Sequence, residues 1–197
     1  MHRACPTPND NSQTTEAMKQ SKPHRSWLKI GIAVLLLSMI VLTAYNLYPE
    51  SRLPQNTVVD KLVVYKSKRS LLAYADGRLL KSYRISLGGQ PIGAKEIEGD
   101  LKTPEGLYVI NDKNPHSDYH KNLGVSYPNE KDIAHAKTLG KAAGGDIKIH
   151  GLLNGMGFIG KLQRYVDWTL GCMALTDTEI DELYQAVPIG TAIEIHP

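Results

Sequence analysis

The stretch Leu71–Leu87, LLAYADGRLLKSYRISL, decides the fold class of this chain. It contains two runs rich in branched and aromatic residues, a composition that favours β-strands, on either side of Asp76 and Gly77. An Asp-Gly pair between two such runs is a strong signal for a two-residue hairpin turn. The stretch therefore predicts two antiparallel strands, Leu71–Ala75 and Leu79–Leu87.

Segments on both sides of this hairpin carry the same β signature. Branched residues or apolar–polar alternation mark four further strands: Val58–Tyr65, Leu107–Ile110, Asp146–His150 and Thr191–Ile195. Glycine and proline punctuate a long loop over residues 88–106. No internal repeat is visible, so the pattern predicts one mainly β domain over residues 58–197.

Two short helices are expected within this domain. Asn129–Leu139 begins with a capping asparagine. Thr176–Val187 begins with a capping box formed by Thr176 and Glu179, and Pro188 ends it. Both segments have a start signal and a length typical of globular helices.

The N-terminal part of the chain is predicted to cross a membrane once. Residues 30–49 form a run of twenty residues without a charge. A helix of that length covers about 30 Å, the thickness of a bilayer hydrocarbon core. Trp27 lies at one end and Tyr45 and Tyr48 at the other, where amphipathic rings suit the two interfaces. We expect a retained signal anchor rather than a cleaved signal peptide, because the preceding arm is long and no cleavage pattern follows.

Charge orients this span. Residues 1–49 carry five Lys or Arg against two acidic residues, whereas residues 50–197 carry eighteen of each. Positively charged flanks stay in the cytoplasm, so we expect a cytoplasmic basic arm at residues 1–29, a linker at residues 50–57 and an exported β domain. The balanced charge of the exported part also argues against nucleic-acid binding, which requires a basic face.

A lone thiol marks the candidate chemistry of the exported part. Cys172 lies in the stretch DWTLGCMALT, residues 167–176. The other cysteine, Cys5, lies in the cytoplasmic arm, so the membrane would keep the two apart and prevent an intrachain disulfide. An unpaired thiol is a liability in an oxidising compartment. It is either a buried, inert side chain or a nucleophile.

His150 is the candidate partner of this thiol. It ends a predicted strand, which would fix its ring at the rim of a sheet. A thiol of ordinary pKa, about 8.5, is only a few per cent thiolate at neutral pH, so we expect the imidazole to hold the thiolate and alkylation of Cys172 to proceed well below about pH 8. Gly171 permits close backbone approach, and its amide with that of Cys172 could face an oxyanion. Asp167 could orient His150 or be a surface acid in a polar loop, and a backbone carbonyl could be the group that orients His150 instead.

Three other patterns are discounted. Residues 155–160, GMGFIG, match G-x-G-x-x-G, but too few residues follow to complete a dinucleotide-binding half. Residues 88–95, GGQPIGAK, resemble a phosphate loop, with Glu96 where a Ser or Thr is needed. Residues 116–120, HSDYH, have metal-like spacing only in a helix, and Pro115 favours a loop. We expect no cofactor and no metal.

Two motifs together resemble a known family. Ile149-His150-Gly151, followed after a spacer by Thr169-x-Gly171-Cys172, resembles the active-site signature of the L,D-transpeptidase catalytic domain family, enzymes of bacterial peptidoglycan. Upstream, residues 99–108 contain a Thr-Pro-x-Gly segment that is similar to one in the family. Residues 126–129 and 144–151 resemble a membrane-anchored or exported branch. The likeness covers nearly the whole exported part.

The resemblance implies a fold and roles for the motif residues. The fold would be a β-sandwich with the site in a groove at its edge. Cys172 would be the acylated nucleophile and His150 its general base. Gly171 and Cys172 would supply oxyanion amides, and Thr169 would hold the cysteine loop or hydrogen-bond near the imidazole.

Three further residues are candidates for substrate binding. Gly151 follows the histidine, Trp168 would form a groove wall or part of the core, and Tyr127 would line the groove or pack under it. Ala174 departs from the family pattern, because many members carry Arg or Asn two places after the cysteine. This departure bears on the acyl acceptor more than on the thioester.

The resemblance also implies a substrate and a location. The substrate would be a peptidoglycan stem peptide, attacked at diaminopimelate to form a thioester. An amine of another stem, a lysine of a wall-linked lipoprotein, or water would then accept the acyl group. Water as acceptor would make the protein an endopeptidase or amidase of the same family. The domain would lie on the periplasmic side of the inner membrane, with a single span.

Two readings outside this enzyme class remain open. A non-catalytic module could bind the cell wall and keep a degenerate site. A metallohydrolase could use His116 and His120.

Overall fold

The computed structural model describes Met1 and residues 24–197. Most of the predicted basic arm, including Cys5, lies outside the described residues. The chain divides into two compact units, Met1–Leu42 and Thr43–Pro197.

The first helix, α1, spans His24–Leu47. Its segment Trp27–Leu47 has a mean hydropathy of 2.2, and none of its most apolar window is buried within the protein. The helix is long and apolar enough to cross a membrane, a property that anchors and signal sequences share at this position in a chain. The predicted span at residues 30–49 falls on this helix except for its last two residues.

The second unit is built on eight strands arranged in one sheet. The strands are β1 Lys61–Tyr65, β2 Ser70–Ala75, β3 Arg78–Arg84, β4 Gly106–Ser117, β5 His120–Val125, β6 Lys148–His150, β7 Met173–Ala174 and β8 Ala192–His196. Their order across the sheet is β3-β2-β1-β8-β4-β5-β6-β7. The β1–β8 and β6–β7 pairs are parallel, and the other pairs are antiparallel.

The sheet curls until its two ends meet. Ser86, just after β3, forms a bridge with Ala174 in β7, and Gly88 forms a bridge with Thr169. The concave side encloses an apolar core that draws residues from both halves of the sheet, such as Leu62 and Leu123. The predicted mainly β fold is confirmed, and the two layers of the expected sandwich are the two halves of a single curled sheet.

Side-chain alternation separates this core from a polar face across β4 to β7. One row of paired residues is fully buried in the core: Leu123, Ile149 and Met173. The adjacent row points to the opposite face, because successive residues of a strand alternate. This second row consists of Asn114, Asn122, His150 and Ala174. Register alone therefore places His150 outside the core.

The predicted hairpin is confirmed. β2 and β3 pair antiparallel, and the turn residues Asp76 and Gly77 have φ angles of +49° and +72°. A type I′ hairpin turn requires positive φ at both central positions, and Asp-Gly meets this requirement.

Both predicted helices are confirmed, and each has its cap. α2 spans Glu130–Thr138, capped by Asn129. α3 spans Asp177–Ala186, with the capping box of Thr176 and Glu179.

One local prediction was wrong, and one helix was missed. Residues 116–120 are not an open loop but the tight end of the β4–β5 hairpin, where Ser117 pairs with His120. Backbone pairing over the whole hairpin outweighs the polar composition that favoured a loop. A 3-10 helix at Gly157–Tyr165 was missed; it includes a kink at Gly160. It takes up part of the G-x-G-x-x-G segment.

The expected linker at residues 50–57 is attached to the domain. Leu53 is buried, and its backbone N–H donates to a carboxylate oxygen of Glu182. Glu50 accepts two hydrogen bonds from the guanidinium of Arg164, at 2.7 and 3.0 Å. These contacts make the segment a packed part of the second unit.

Candidate active site

A groove with a volume of about 610 Å³ lies along the polar face of β5, β6 and the segment before β7. Both His150 and Cys172 line it, together with Asn122, Lys148 and Trp168. The structure thus brings the two sequence-predicted reactive groups into one cavity.

Pairing of β6 with β7 places the two groups on the same face. His150 is the register partner of Ala174. Cys172 lies two residues before Ala174, so alternation directs its side chain to the side of the sheet that His150 faces. Cys172 thus lies on the segment next to β6, two residues before the register partner of His150.

The tautomer of His150 follows from its hydrogen bond. Nδ1 lies 2.7 Å from the carbonyl oxygen of Gly151. A carbonyl only accepts, so Nδ1 carries the proton and Nε2 presents a lone pair. Burial lowers the pKa of His150; the bond to Gly151 opposes this shift, and the nearby charge of Lys148 adds to it. The resting imidazole is therefore neutral at neutral pH.

The thiol of Cys172 is also neutral at rest. Its sulfur donates to the backbone carbonyl oxygen of Asp146 at 3.6 Å. Burial raises the pKa of Cys172, and the backbone hydrogen bond and charge of Lys148 only partly counter it. The structure thus differs from the expected imidazole-held thiolate, because burial penalises both charged forms.

Thr169 closes the turn that carries the cysteine. Its hydroxyl donates to the carbonyl oxygen of Cys172 at 2.8 Å and accepts from the N–H of Gly171 at 3.1 Å. These contacts correspond to the first of its two expected roles, holding the cysteine loop. They also occupy the N–H of Gly171, one of the two amides expected to face an oxyanion.

Gly171 is required by its surroundings. Its φ angle is +133°, and a Cβ there would lie 2.7 Å from the backbone oxygen of Lys102. The glycine-rich loop predicted at residues 88–106 therefore packs directly under the cysteine turn. Thr103 in the same loop accepts from the N–H of Gly88 at 3.2 Å.

Asp167 holds the start of the cysteine loop rather than the histidine. Its carboxylate accepts from Nε and Nη2 of Arg69 at 2.7–3.1 Å and from the backbone N–H of Leu87 at 3.0 Å. The group that orients His150 is the Gly151 carbonyl, the alternative that the sequence had left open.

Aromatic rings enclose the imidazole. The ring centroids of Trp168 and His150 are 5.7 Å apart in an edge-on arrangement. Trp168 is held by a hydrogen bond of 3.0 Å from its Nε1 to Gln163. Tyr119 lies at the tip of the β4–β5 hairpin, and its ring centroid is 4.7 Å from that of His150. Sequence reasoning missed Tyr119, because only the hairpin brings it near residue 150.

Tyr127 does not line the groove. It is 5% exposed, and its hydroxyl donates to the carbonyl oxygen of Ala143 at 3.0 Å. Its ring packs edge-on against Tyr108 at 6.0 Å. Of the two expected positions, the structure shows the one beneath the groove.

Gly151 acts on the site through its backbone. A Cβ there would lie 2.8 Å from Asp177 Oδ1 and 3.0 Å from His120 and from Ile180, so only glycine fits. Its carbonyl meanwhile holds Nδ1 of His150.

The two histidines of residues 116–120 do not share a ligand set. His120 pairs with Asp181 at 2.9 Å, whereas His116 lines the groove. Within the described part of the chain, no group of three His, Cys, Asp or Glu residues could hold a metal ion.

Comparisons with known proteins identify the domain. The family model of the L,D-transpeptidase catalytic domain, YkuD, matches residues 60–195. Among curated proteins, YafK of Escherichia coli strain K12, whose assignment as an L,D-transpeptidase is provisional, is 32% identical over 130 residues. This match covers 63% of the chain and 45% of YafK, so the chain spans less than half of that relative.

A solved structure shows the same architecture. The helical cell shape determining protein Pgp2 from Campylobacter jejuni aligns with a TM-score of 0.54 at 26% identity. The alignment covers 79% of this chain and 54% of Pgp2.

Fold and site together define a class: a curled mainly β domain with a cysteine and a histidine in one groove. The chain belongs to the L,D-transpeptidase catalytic domain family, whose members are generally enzymes.

Proposed function

We propose that this protein is a cysteine acyltransferase that acts on peptidoglycan stem peptides at diaminopimelate. The observation that carries the proposal is that Cys172, directly before β7, and His150, at the end of β6, line one groove. Family membership supplies the substrate class. The name of Pgp2, a cell shape determining protein, is consistent with a role in the cell wall.

The first step begins from a neutral pair. Nε2 of His150 has a free lone pair, since Nδ1 donates to Gly151. As the sulfur of Cys172 bonds to the carbonyl carbon of diaminopimelate, its proton passes to Nε2. The resulting imidazolium donates that proton to the leaving amine as the C–N bond breaks. A thioester remains on Cys172.

Charge that develops on the carbonyl oxygen needs a donor. Gly171 N–H is engaged by Thr169, so the amide of Cys172 is the donor of this turn that we assign to the oxyanion. Lys148 lines the groove as well, but its Nζ pairs with the carboxylate of Asp146 at 2.8 Å, so its charge is balanced within the groove.

The second step transfers the acyl group to an acceptor. An amine of a second stem peptide attacks the thioester, its proton passes to Nε2 of His150, and the sulfur regains it. Water or the lysine of a wall-linked lipoprotein would follow the same route. Ala174 is buried opposite His150, so this position contributes no polar group that would select among them.

The proposed location follows from the apolar helix. If α1 anchors the protein in the inner membrane, the catalytic domain lies on the periplasmic side, next to the peptidoglycan. This anchored state also fits the family's substrate, which lies outside the cytoplasm.

Mass spectrometry of stem peptides incubated with the purified full chain tests the proposal. Transfer gives cross-linked dimers, and hydrolysis gives shortened monomers. The intact protein should gain the mass of the acyl group, and Cys172→Ala should abolish the adduct. A wild-type protein that forms no adduct and changes no peptide is a binding module instead.

A further inference from the structure

An accessible ion pair lies in the groove, and the proposed mechanism does not use it. Nζ of Lys148 lies 2.8 Å from a carboxylate oxygen of Asp146. The side chain of Asp146 is 82% exposed and that of Lys148 is 30% exposed, so a ligand can reach both charges. Both residues line the groove together with Cys172 and His150. Two opposite charges at this place suit a ligand that itself carries an ammonium and a carboxylate.

Strand register places this pair beside the thiol. β6 and β7 run parallel, with His150 opposite Ala174. Two residues earlier in each segment, Lys148 comes level with Cys172, and by alternation its side chain is on the face that His150 occupies. A hydrogen bond from the backbone of Lys148 reaches the thiol. The carbonyl oxygen of Asp146 is 3.6 Å from the sulfur.

The direction of the proposed reaction turns the acyl part of the donor toward this pair. The imidazole of His150 protonates the leaving nitrogen, so the nitrogen lies toward the end of β6. The acyl part therefore lies toward the start of β6, where Lys148 stands and Asp146 precedes it.

The side chain of diaminopimelate fits this place in charge and length. It ends in a second centre that bears an ammonium and a carboxylate. When extended, that centre lies about 6 Å from the attacked carbonyl carbon, at about 1.5 Å per carbon–carbon bond. Neighbouring strands are about 4.8 Å apart, so this length carries the two charges from the thiol to side chains of the adjacent strand.

We infer that Asp146 and Lys148 select the diaminopimelate side chain, Asp146 by pairing with its distal ammonium and Lys148 by pairing with its distal carboxylate. This inference rests on the proposed function and adds specificity-determining residues to it. The bound side chain completes a ring of alternating charges, in which each protein charge gains a second opposite neighbour. A lysine side chain at the same place has the ammonium without the carboxylate and would satisfy Asp146 alone.

Three stem tetrapeptides that differ only in the third residue test the inference. One contains diaminopimelate, one contains lysine, which lacks the distal carboxylate, and one contains 2-aminopimelate, which lacks the distal ammonium. The rate of thioester formation on the full chain in detergent is followed by intact-mass spectrometry. The wild-type chain should prefer diaminopimelate about fivefold to tenfold over each of the others, the effect of one partly exposed contact between charges.

Two variants assign the two contacts. Lys148→Met should abolish the preference for diaminopimelate over lysine. Asp146→Asn should abolish the preference for diaminopimelate over 2-aminopimelate, and asparagine tolerates the φ of +59° at this position. The readout is a ratio of rates between donors, because a change in the thiol itself alters the rates of all three donors by the same factor.

Lys61→Met is the matched control. It breaks the ion pair of Lys61 with Glu194, which are 2.7 Å apart and do not line the groove, and it should keep both preferences.

The possible failures are distinguishable. If Lys148→Met and Asp146→Asn slow all three donors by the same factor, the pair acts on the thiol or on the fold, and the inference is overturned. A wild-type chain that reacts with the three donors at equal rates would overturn it as well. A wild-type chain that forms no thioester with any donor would refute the proposed function instead.

Discussion

Replacement of Gly171 by alanine is expected to disable the cysteine turn. The φ angle of +133° belongs to a region that L-residues rarely adopt, and occupying it costs about 1–3 kcal/mol. In addition, the new Cβ would lie 2.7 Å from the backbone oxygen of Lys102, closer than real Cβ contacts allow. Because the obstacle is backbone, the turn itself must move.

A moved turn displaces the thiol of Cys172. The carbonyl of Cys172 and the N–H of Gly171 share the Thr169 hydroxyl, so a shift of one residue is passed to the next. A displacement of about 1 Å at a reacting group costs on the order of a hundredfold in rate. We therefore expect Gly171→Ala to slow thioester formation by about a hundredfold and to lower the free energy of unfolding.

Gly155→Ala is the matched control. Gly155 also has a positive φ, +84°, but a Cβ there would meet nothing within 4 Å. Gly155→Ala thus also carries a backbone penalty, a smaller one because +84° lies nearer the left-handed region, and the collision is absent. Stability in urea should fall in both variants, whereas the rate of adduct formation should fall only in Gly171→Ala.

The reasoning is refuted by either of two results. Gly171→Ala with a rate within about threefold of wild type would show that the turn tolerates the Cβ. An equal loss in Gly155→Ala would show that general destabilisation, not displacement of the thiol, explains the effect.

Three further predictions concern charge and packing. Burial raises the pKa of Cys172, so alkylation by neutral iodoacetamide should increase with pH and reach its midpoint at a higher pH in the folded chain than in urea. A lower midpoint in the folded chain would show that the resting side chain is a thiolate. Asp167→Ala leaves the buried N–H of Leu87 unpaired, so unfolding in urea should show a loss of about 1–3 kcal/mol, and an unchanged midpoint would contradict the role assigned to that carboxylate. A chain that starts at Val58 loses Leu53, whose burial contributes about 1.5–3 kcal/mol, and should unfold at lower urea than one that starts at Thr43; equal midpoints would show that the segment is only a tether.

Much of the fold could be predicted because its signals are local. The Asp-Gly turn depends on which residues tolerate positive φ, and the helix caps depend on side chains within three residues of the start. The β4–β5 hairpin escaped prediction because its tip is polar and includes Pro115, and pairing along the whole hairpin decides its structure. The 3-10 helix also escaped, because Gly155, Gly157 and Gly160 favoured a loop over this stretch.

The candidate site could be predicted in its chemistry but not in its contacts. Cys172 and His150 stood out because few residue types can act as nucleophile and base. Neighbours such as Tyr119 and Asn122 carry no comparable signal, for a tyrosine or an asparagine in a polar segment has many ordinary explanations. The partner of Asp167 could not be predicted, because Arg69 is distant in sequence and approaches only when the sheet curls.

Residue types and short-range patterns therefore predicted the strand-rich class, the apolar helix and the candidate pair Cys172 and His150, since these depend on propensity and intrinsic chemistry. Pairing register settled which face His150 occupies and which residues stand beside it. Burial in the assembled groove decides the direction in which the pKa values of thiol and imidazole shift, because desolvation depends on every group packed around an atom and not on its neighbours along the chain.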